Sequence, residues 1–229
     1  LGLITPFLAI SGNILGVMED QIFVAMGVVF VWGVGPILDI VMGESDVARP
    51  PRDSGTPFEV LLWVHGLLQL VVVGSFFWFA ANEGLTIWLV VGGLSSGLSA
   101  ATSATVTAHE LGHKKRGSPG WRLARVILFT VNYTHFTYEH NHVHHKWVST
   151  DKDSASATAN QGLWSFWLST IPGQFASSAR VHNKRGKVGL RNPSYRGLLL
   201  QVSALLAIAF LPGEMGWFDG IPVAAGWLV

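Results

Sequence analysis

Five histidines fall in two short segments whose spacing suits metal coordination. HELGHKK (residues 109–115) holds His109 and His113, and EHNHVHH (residues 139–145) holds His140, His144 and His145. Residues four apart on a helix lie one turn above another on the same face. His109 with His113, and His140 with His144, can therefore each aim two ring nitrogens at one ion. His145 points roughly 100° away from His144 and can serve a second ion or the end of an unwinding helix. His142 points away from the His140/His144 face and reads as a non-ligand. His135 and His182 have no helical partner and read as structural or solvated. With no cysteine in the chain, thiolate metal sites, disulfides and thiol nucleophiles are excluded, and imidazole is left as the natural ligand.

The number of boxes bears on which metal they hold. HELGH also fits HExxH, the zinc-protease pattern in which the glutamate is a general base. Such a site needs two histidines and one further ligand, and it leaves the second cluster without a purpose. Two clusters suit a pair of metals, and a histidine-rich open site without thiolates suits non-haem iron handling dioxygen. Glu110 and Glu139 flank ligands and can orient imidazoles through the second ring nitrogen; solvent exposure or capping is the equal alternative. Asp151 and Asp153 follow the second box, and either can reach back to it. His65 lies inside an apolar run, where an ionisable group normally faces the bundle interior, so it reads as a cavity-lining or supporting residue rather than a ligand.

The elements that must position these residues are membrane spans. Only 13% of the 229 residues are charged, about half the share usual in soluble domains. Leu1–Leu15, Gln21–Met42, Phe58–Ala81 and Leu85–Ala108 are apolar runs; the last three are each long enough to cross a bilayer, which takes ~20 apolar residues. Leu198–Leu211 is a shorter fifth run, and a sixth begins near Ile221. The connectors Gly16–Asp20, Asn82–Gly84 and Pro212–Gly220 carry acidic residues and no Lys or Arg, whereas all 15 basic residues lie elsewhere. That split is the positive-inside signal and predicts both histidine segments on the cytoplasmic side. His109 continues the fourth run without a break, so the helix is expected to run on to the Gly117–Gly120 turn. A second long helix is expected from Trp121 to His145, a loop at Arg49–Pro57, and a close helix contact at Gly93 and Gly97 in GxxxG spacing.

HELGHKK together with EHNHVHHKWVSTDKDSASA, and WGVGPILDIVMGES (residues 32–45), resembles the alkane monooxygenase (alkane ω-hydroxylase) family. These are integral-membrane non-haem di-iron enzymes related to membrane desaturases. The resemblance runs the length of the chain. It implies an all-α polytopic bundle of about six spans, the last truncated here, with a histidine-rich cytoplasmic cap, as one membrane domain over 1–229. It implies terminal hydroxylation of alkanes with O2 at two iron ions, His109, His113, His140, His144 and His145 being the ligands. It further implies rubredoxin as electron donor, a rubredoxin reductase upstream, a place in the bacterial inner membrane, and no dealings with nucleic acid. Two further boxes of the family, resembling NYxEHYGL and LQRHSDHH, are not in this sequence, so it reads as an N-terminal part that does not complete a di-iron site. Val31, Trp32, Leu38 and Leu62, chosen by depth and bulk, are candidates for the wall of an alkane channel; lipid contact or core packing is the alternative for each. A membrane desaturase or related hydroxylase is the second reading, although its second box is usually HxxHH whereas His142, His144 and His145 give HxHH. A membrane zinc protease and a metal-storage or metal-transport protein complete the alternatives.

Overall fold

The computed structural model describes residues 2–43, 54–211 and 219–229. Most of the expected Arg49–Pro57 loop, most of the Pro212–Gly220 connector and the last two residues of the 32–45 motif lie outside the described residues. Among the described residues there are helices and no strands. Three are long and apolar enough to cross a membrane: Gln21–Met42 (α2), Thr56–Glu83 (α3) and Ile87–Gly112 (α4). Ile4–Met18 (α1) is a shorter apolar helix ahead of them. The chain then forms Pro119–Thr130 (α5), a segment over 136–147 (α6), Leu163–Lys184 (α7), Pro193–Ala209 (α8) and Ile221–Leu228 (α9). The fold is an all-α membrane bundle.

Two compact units divide the chain, residues 1–111 with 205–229, and residues 112–204. In the first unit small and polar residues let the helices approach closely. Gly27 of α2 lies against Ser95 of α4, its N–H donating to Ser95 Oγ at 2.9 Å, and a Cβ there would collide with that hydroxyl. Asn13 of α1 is fully buried and donates to Ser75 Oγ at 3.1 Å and Ser96 Oγ at 3.3 Å. Thr5 pairs with Thr102 at 3.0 Å, and His65 Nδ1 with Ser103 Oγ at 2.5 Å. Buried hydrogen-bonding side chains hold helices together where the surrounding hydrocarbon offers no alternative partner. Beside them sits an apolar cluster of Val24, Phe76, Phe79, Leu89 and Val223. Gly93 of the GxxxG pair lies under Val229, while a Cβ on Gly97 would meet only the Val229 carbonyl oxygen, at an ordinary 4.0 Å. Close contact is therefore made at the first glycine and not at the second.

In the second unit the expected long helix from Trp121 to His145 is two helices. α5 stops at Thr130 because Asn132 takes a left-handed conformation, φ 55°. Tyr133 N–H then donates to Leu128 C=O at 2.8 Å and Asn132 N–H to Phe129 C=O at 3.2 Å, which together satisfy the exposed carbonyls of the helix end. Asparagine tolerates that conformation better than most residues with a Cβ. α6 opens with the α-turn Phe136–Glu139, passes through a π-helical turn, His140–His144, and closes with His145–Trp147.

Candidate metal centre

The first box occupies the end of α4, where an unbroken α-helical stretch, Thr105–Gly112, carries His109. His113 follows one turn later. The second box occupies α6, whose start packs against the first box. A Cβ on Gly112 would touch the Thr137 side chain at 3.4 Å, and Asn141 Nδ2 donates to Gly112 C=O at 3.1 Å. That carbonyl belongs to a helix end and has no partner within its own helix, so Asn141 both caps α4 and ties the boxes together.

The π turn decides which histidines converge. His145 N–H donates to His140 C=O, five residues back, a pattern that widens the turn. Residues five apart thereby come onto one side. His140 and His145 rings lie 4.4 Å apart with their Nε2 atoms at 2.9 Å. His113 is 5.3 Å from His140 and 5.0 Å from His145, centroid to centroid. One nitrogen from each of His113, His140 and His145 lies within 4.8 Å of the other two. Two nitrogens on one ion, at bonds of about 2.1 Å, sit at most about 4.2 Å apart, so these three must close in only a little to hold one. Neutral imidazoles fit a divalent first-row ion. His144 stands outside the three, its ring stacked 5.2 Å from His140, with Nδ1 2.9 Å from Asp153 Oδ2. That contact leaves Nε2 as its ligating atom.

The remaining sequence candidates separate clearly. Asp153 is buried and fixed by Ser156 Oγ at 2.5 Å and Ala155 N–H at 3.0 Å. Burial alone would raise its carboxyl, but these hydrogen bonds and His144 outweigh that and hold it below the ordinary carboxylate value. Glu139, 1% exposed, accepts from Ser177 Oγ at 3.3 Å. Burial first, and the Asp153 charge second, push its carboxyl up to about 7, with Ser177 and His144 opposing. Glu110 and Asp151 are exposed, and His142 Nε2 is 3.4 Å from an Arg185 guanidinium nitrogen. His65 pairs with Ser103 as described. Trp32 is 61% exposed, whereas Val31, Leu38 and Leu62 are half-buried. His135 and His182, read as structural or solvated, are both buried, and neither ring nitrogen of His182 has a hydrogen-bond partner. Burial, helped by neighbouring cations, holds both at about 4.

Supporting residues that the sequence reading missed sit on α7. Tyr133 donates to Gln174 Oε1, Gln174 donates to Thr170 Oγ1 at 2.8 Å, and Ser177 reaches Glu139. Their one sequence signal is a polar stripe at 170, 174 and 177, with helical spacing. A cavity of about 550 Å³ opens beside the centre, lined by His113 and His145 and by Lys114, Arg116, Arg185 and Lys187, with no acidic residue in its wall.

With this geometry established, comparison with known proteins is decisive for the family. The fatty acid desaturase family model matches residues 85–229, which include both boxes. The chain belongs to the fatty acid desaturase family. Among curated proteins this family member is 31% identical over 216 residues to an alkane 1-monooxygenase of Ectopseudomonas oleovorans, and 30% over 215 residues to one of Pseudomonas putida. It is 29% identical over 219 residues to alkane 1-monooxygenase 1 of Alcanivorax borkumensis. Each match covers 87% of this chain and 52–53% of the relative. The desaturase-family chain thus spans about half the length of the curated relatives it matches. Its apolar helices and these relatives mark an integral membrane protein.

Proposed function

We propose that the polypeptide hydroxylates the terminal methyl group of alkanes, R–CH3 + O2 + 2 e⁻ + 2 H⁺ giving R–CH2OH + H2O. The observation that carries this reading is the convergence of His113, His140 and His145 in a fatty acid desaturase family chain similar to alkane 1-monooxygenases. Two iron ions, when bound, supply the dioxygen and redox chemistry that no side chain here can supply. His109, His113, His140 and His145 would hold the first ion. His144 would contribute Nε2 to the second, its ring fixed through Nδ1 by Asp153, as metal-bound imidazoles commonly are.

Electrons come from an acidic one-electron carrier, rubredoxin in this reading, with its reductase upstream. Lys184, Arg185, Lys187 and Arg191 make a dense basic stretch that would dock such a carrier, and the cavity narrows it. Arg185 and Lys187 line it together with Lys114 and Arg116, whereas Lys184 and Arg191 do not. Complementary charge would speed the encounter, and salt would slow it over a Debye length of ~10 Å at 0.1 M. The boxes face the cytoplasm from the inner membrane, and the alkane enters from the lipid, where apolar solutes concentrate.

Full-length, iron-loaded polypeptide in nanodiscs, given octane, rubredoxin, reductase and ¹⁸O2, is expected to yield labelled 1-octanol. The desaturase-family match favours one second reading, removal of two hydrogens from an acyl chain. An alkene product in which ¹⁸O appears only in water would establish that alternative and overturn the hydroxylase.

A further inference from the structure

Helix α7 presents a surface unsuited to water. No charged residue occurs from Ser154 to Ala179. In the first half of α7, Leu163, Trp164, Trp167, Leu168 and Ile171 are 58%, 72%, 46%, 80% and 64% exposed. At 100° per residue they share an arc of roughly 140°. Ser169 lies on the opposite side, exposed and bonded to Gln161 Nε2 at 3.1 Å. The two indoles meet edge to face at 5.2 Å. Five large apolar side chains side by side form a patch that requires a partner.

The second half of α7 is turned to its own unit. Gln174, Ser177, Ser178 and His182 are buried there, bonded to or stacked on residues 133–139 and 194. Cations flank the apolar stretch on both sides in sequence. Lys146 and Lys152 lie over the Trp147 ring at 4.9 and 4.3 Å, while Arg180 and Lys184 are exposed toward the far end of α7. The apolar surface continues through Phe175, whose ring is 5.9 Å from Tyr195, to α8 with its exposed Leu198, Leu199 and Leu200.

We propose that the first half of α7 lies in the interfacial layer of the bilayer, its apolar arc sunk to the headgroup–acyl boundary. Tryptophan and tyrosine favour that boundary, and lysine and arginine beside it reach the lipid phosphates. A helix with this apolar arc and a hydroxyl-bearing opposite face, in a chain that also spans the membrane, is matched to lipid by composition, by flanking charge and by continuity with an apolar helix. The placement has a functional consequence. Through Gln174 and Ser177 the same helix holds Tyr133 and Glu139, so the second histidine box is kept within about one helix diameter, ~10 Å, of the anchoring element.

The test uses bimane attached to single cysteines in a cysteine-free version of the full-length, iron-loaded polypeptide in nanodiscs. For Leu168→Cys, brominated lipid is expected to remove most of the fluorescence and aqueous iodide little; for Ser169→Cys the order reverses. Iodide quenching at Leu168→Cys would place the arc in water. Protection from both quenchers would mean that protein covers it, whether a second copy or another part of the polypeptide. Equal lipid quenching at both positions would immerse the whole helix. Each of these three results overturns the proposal, and Ile171→Cys repeats the measurement if Leu168→Cys does not assemble.

Discussion

The two histidine boxes look alike in sequence and are built differently. The first lies at the end of an α-helix, with His109 on its last full turn and His113 just past it. The second lies on a π turn, where a five-residue spacing brings His140 to His145 and leaves His144 to Asp153. The difference teaches that ligand spacing alone does not assign ligands to ions, because the backbone period must be known too. One added backbone position per turn exchanges the neighbour of His140.

Replacing residues in each box should break the comparison most sharply. In the full-length enzyme, His109→Ala, His113→Ala, His140→Ala and His145→Ala are expected to abolish turnover and strip most of the iron. His144→Ala should also lose activity but retain more metal than any of the four, and His142→Ala should change little. Metal analysis beside turnover checks this; equal iron loss from His144→Ala and His145→Ala would remove the distinction drawn from the π turn.

A smaller effect is expected from the residue that steadies His144. Asp153→Asn keeps the shape but not the charge, and such partners of metal-bound imidazoles typically change affinity or activity about 10–100-fold. Iron affinity measured by competition with a chelator should fall by that order, while Asp151→Asn, at an exposed position, serves as an inert control.

The tie between the boxes should matter less again. Asn141→Ala leaves the Gly112 carbonyl without its cap, a loss of about 1 kcal/mol. A lowered melting temperature with iron content largely kept is the expected result, and an unchanged melting temperature would show that the two boxes do not depend on this hydrogen bond.

A separate effect is one of pH. His182 is held at about 4 against 6.5 for the free side chain, so on acidification the unfolded chain takes up its proton first. Its contribution to stability is whole above pH 6.5 and is lost as pH falls from 6.5 toward 4. His182→Phe, which does not titrate, should show a flatter melting curve against pH in that window. Comparing it with the parent at each pH separates this effect from Glu139, whose raised value slopes the opposite way. Parallel curves for the two proteins would count against a buried neutral imidazole.

Much of this was legible in the residues. Apolar run lengths mark α2, α3 and α4. Asp153 was a candidate from its place after the second box. The exchange of His144 for His145 was not legible, because an α period was the only one available before the backbone was known. The break after Thr130 rests on Asn132, without glycine or proline to announce it. Gln174 and Ser177 carry no chemistry in their names and acquire a role only once α7 packs beside Glu139.

The hydrogen bonds along α4 have a mechanical meaning. Between Ser95 and His109 the helix advances fourteen residues, about 21 Å, and acts as a lever arm. A tilt of only about 3° at one end would sweep the other through about 1 Å, and errors of that size are costly to catalysis. Ser95, Ser96, Thr102 and Ser103 grip three neighbouring helices at successive heights, so the arm is clamped along its length rather than hinged at one point. With the arm so clamped, the His109 imidazole would hold its aim as the surrounding lipid is remodelled.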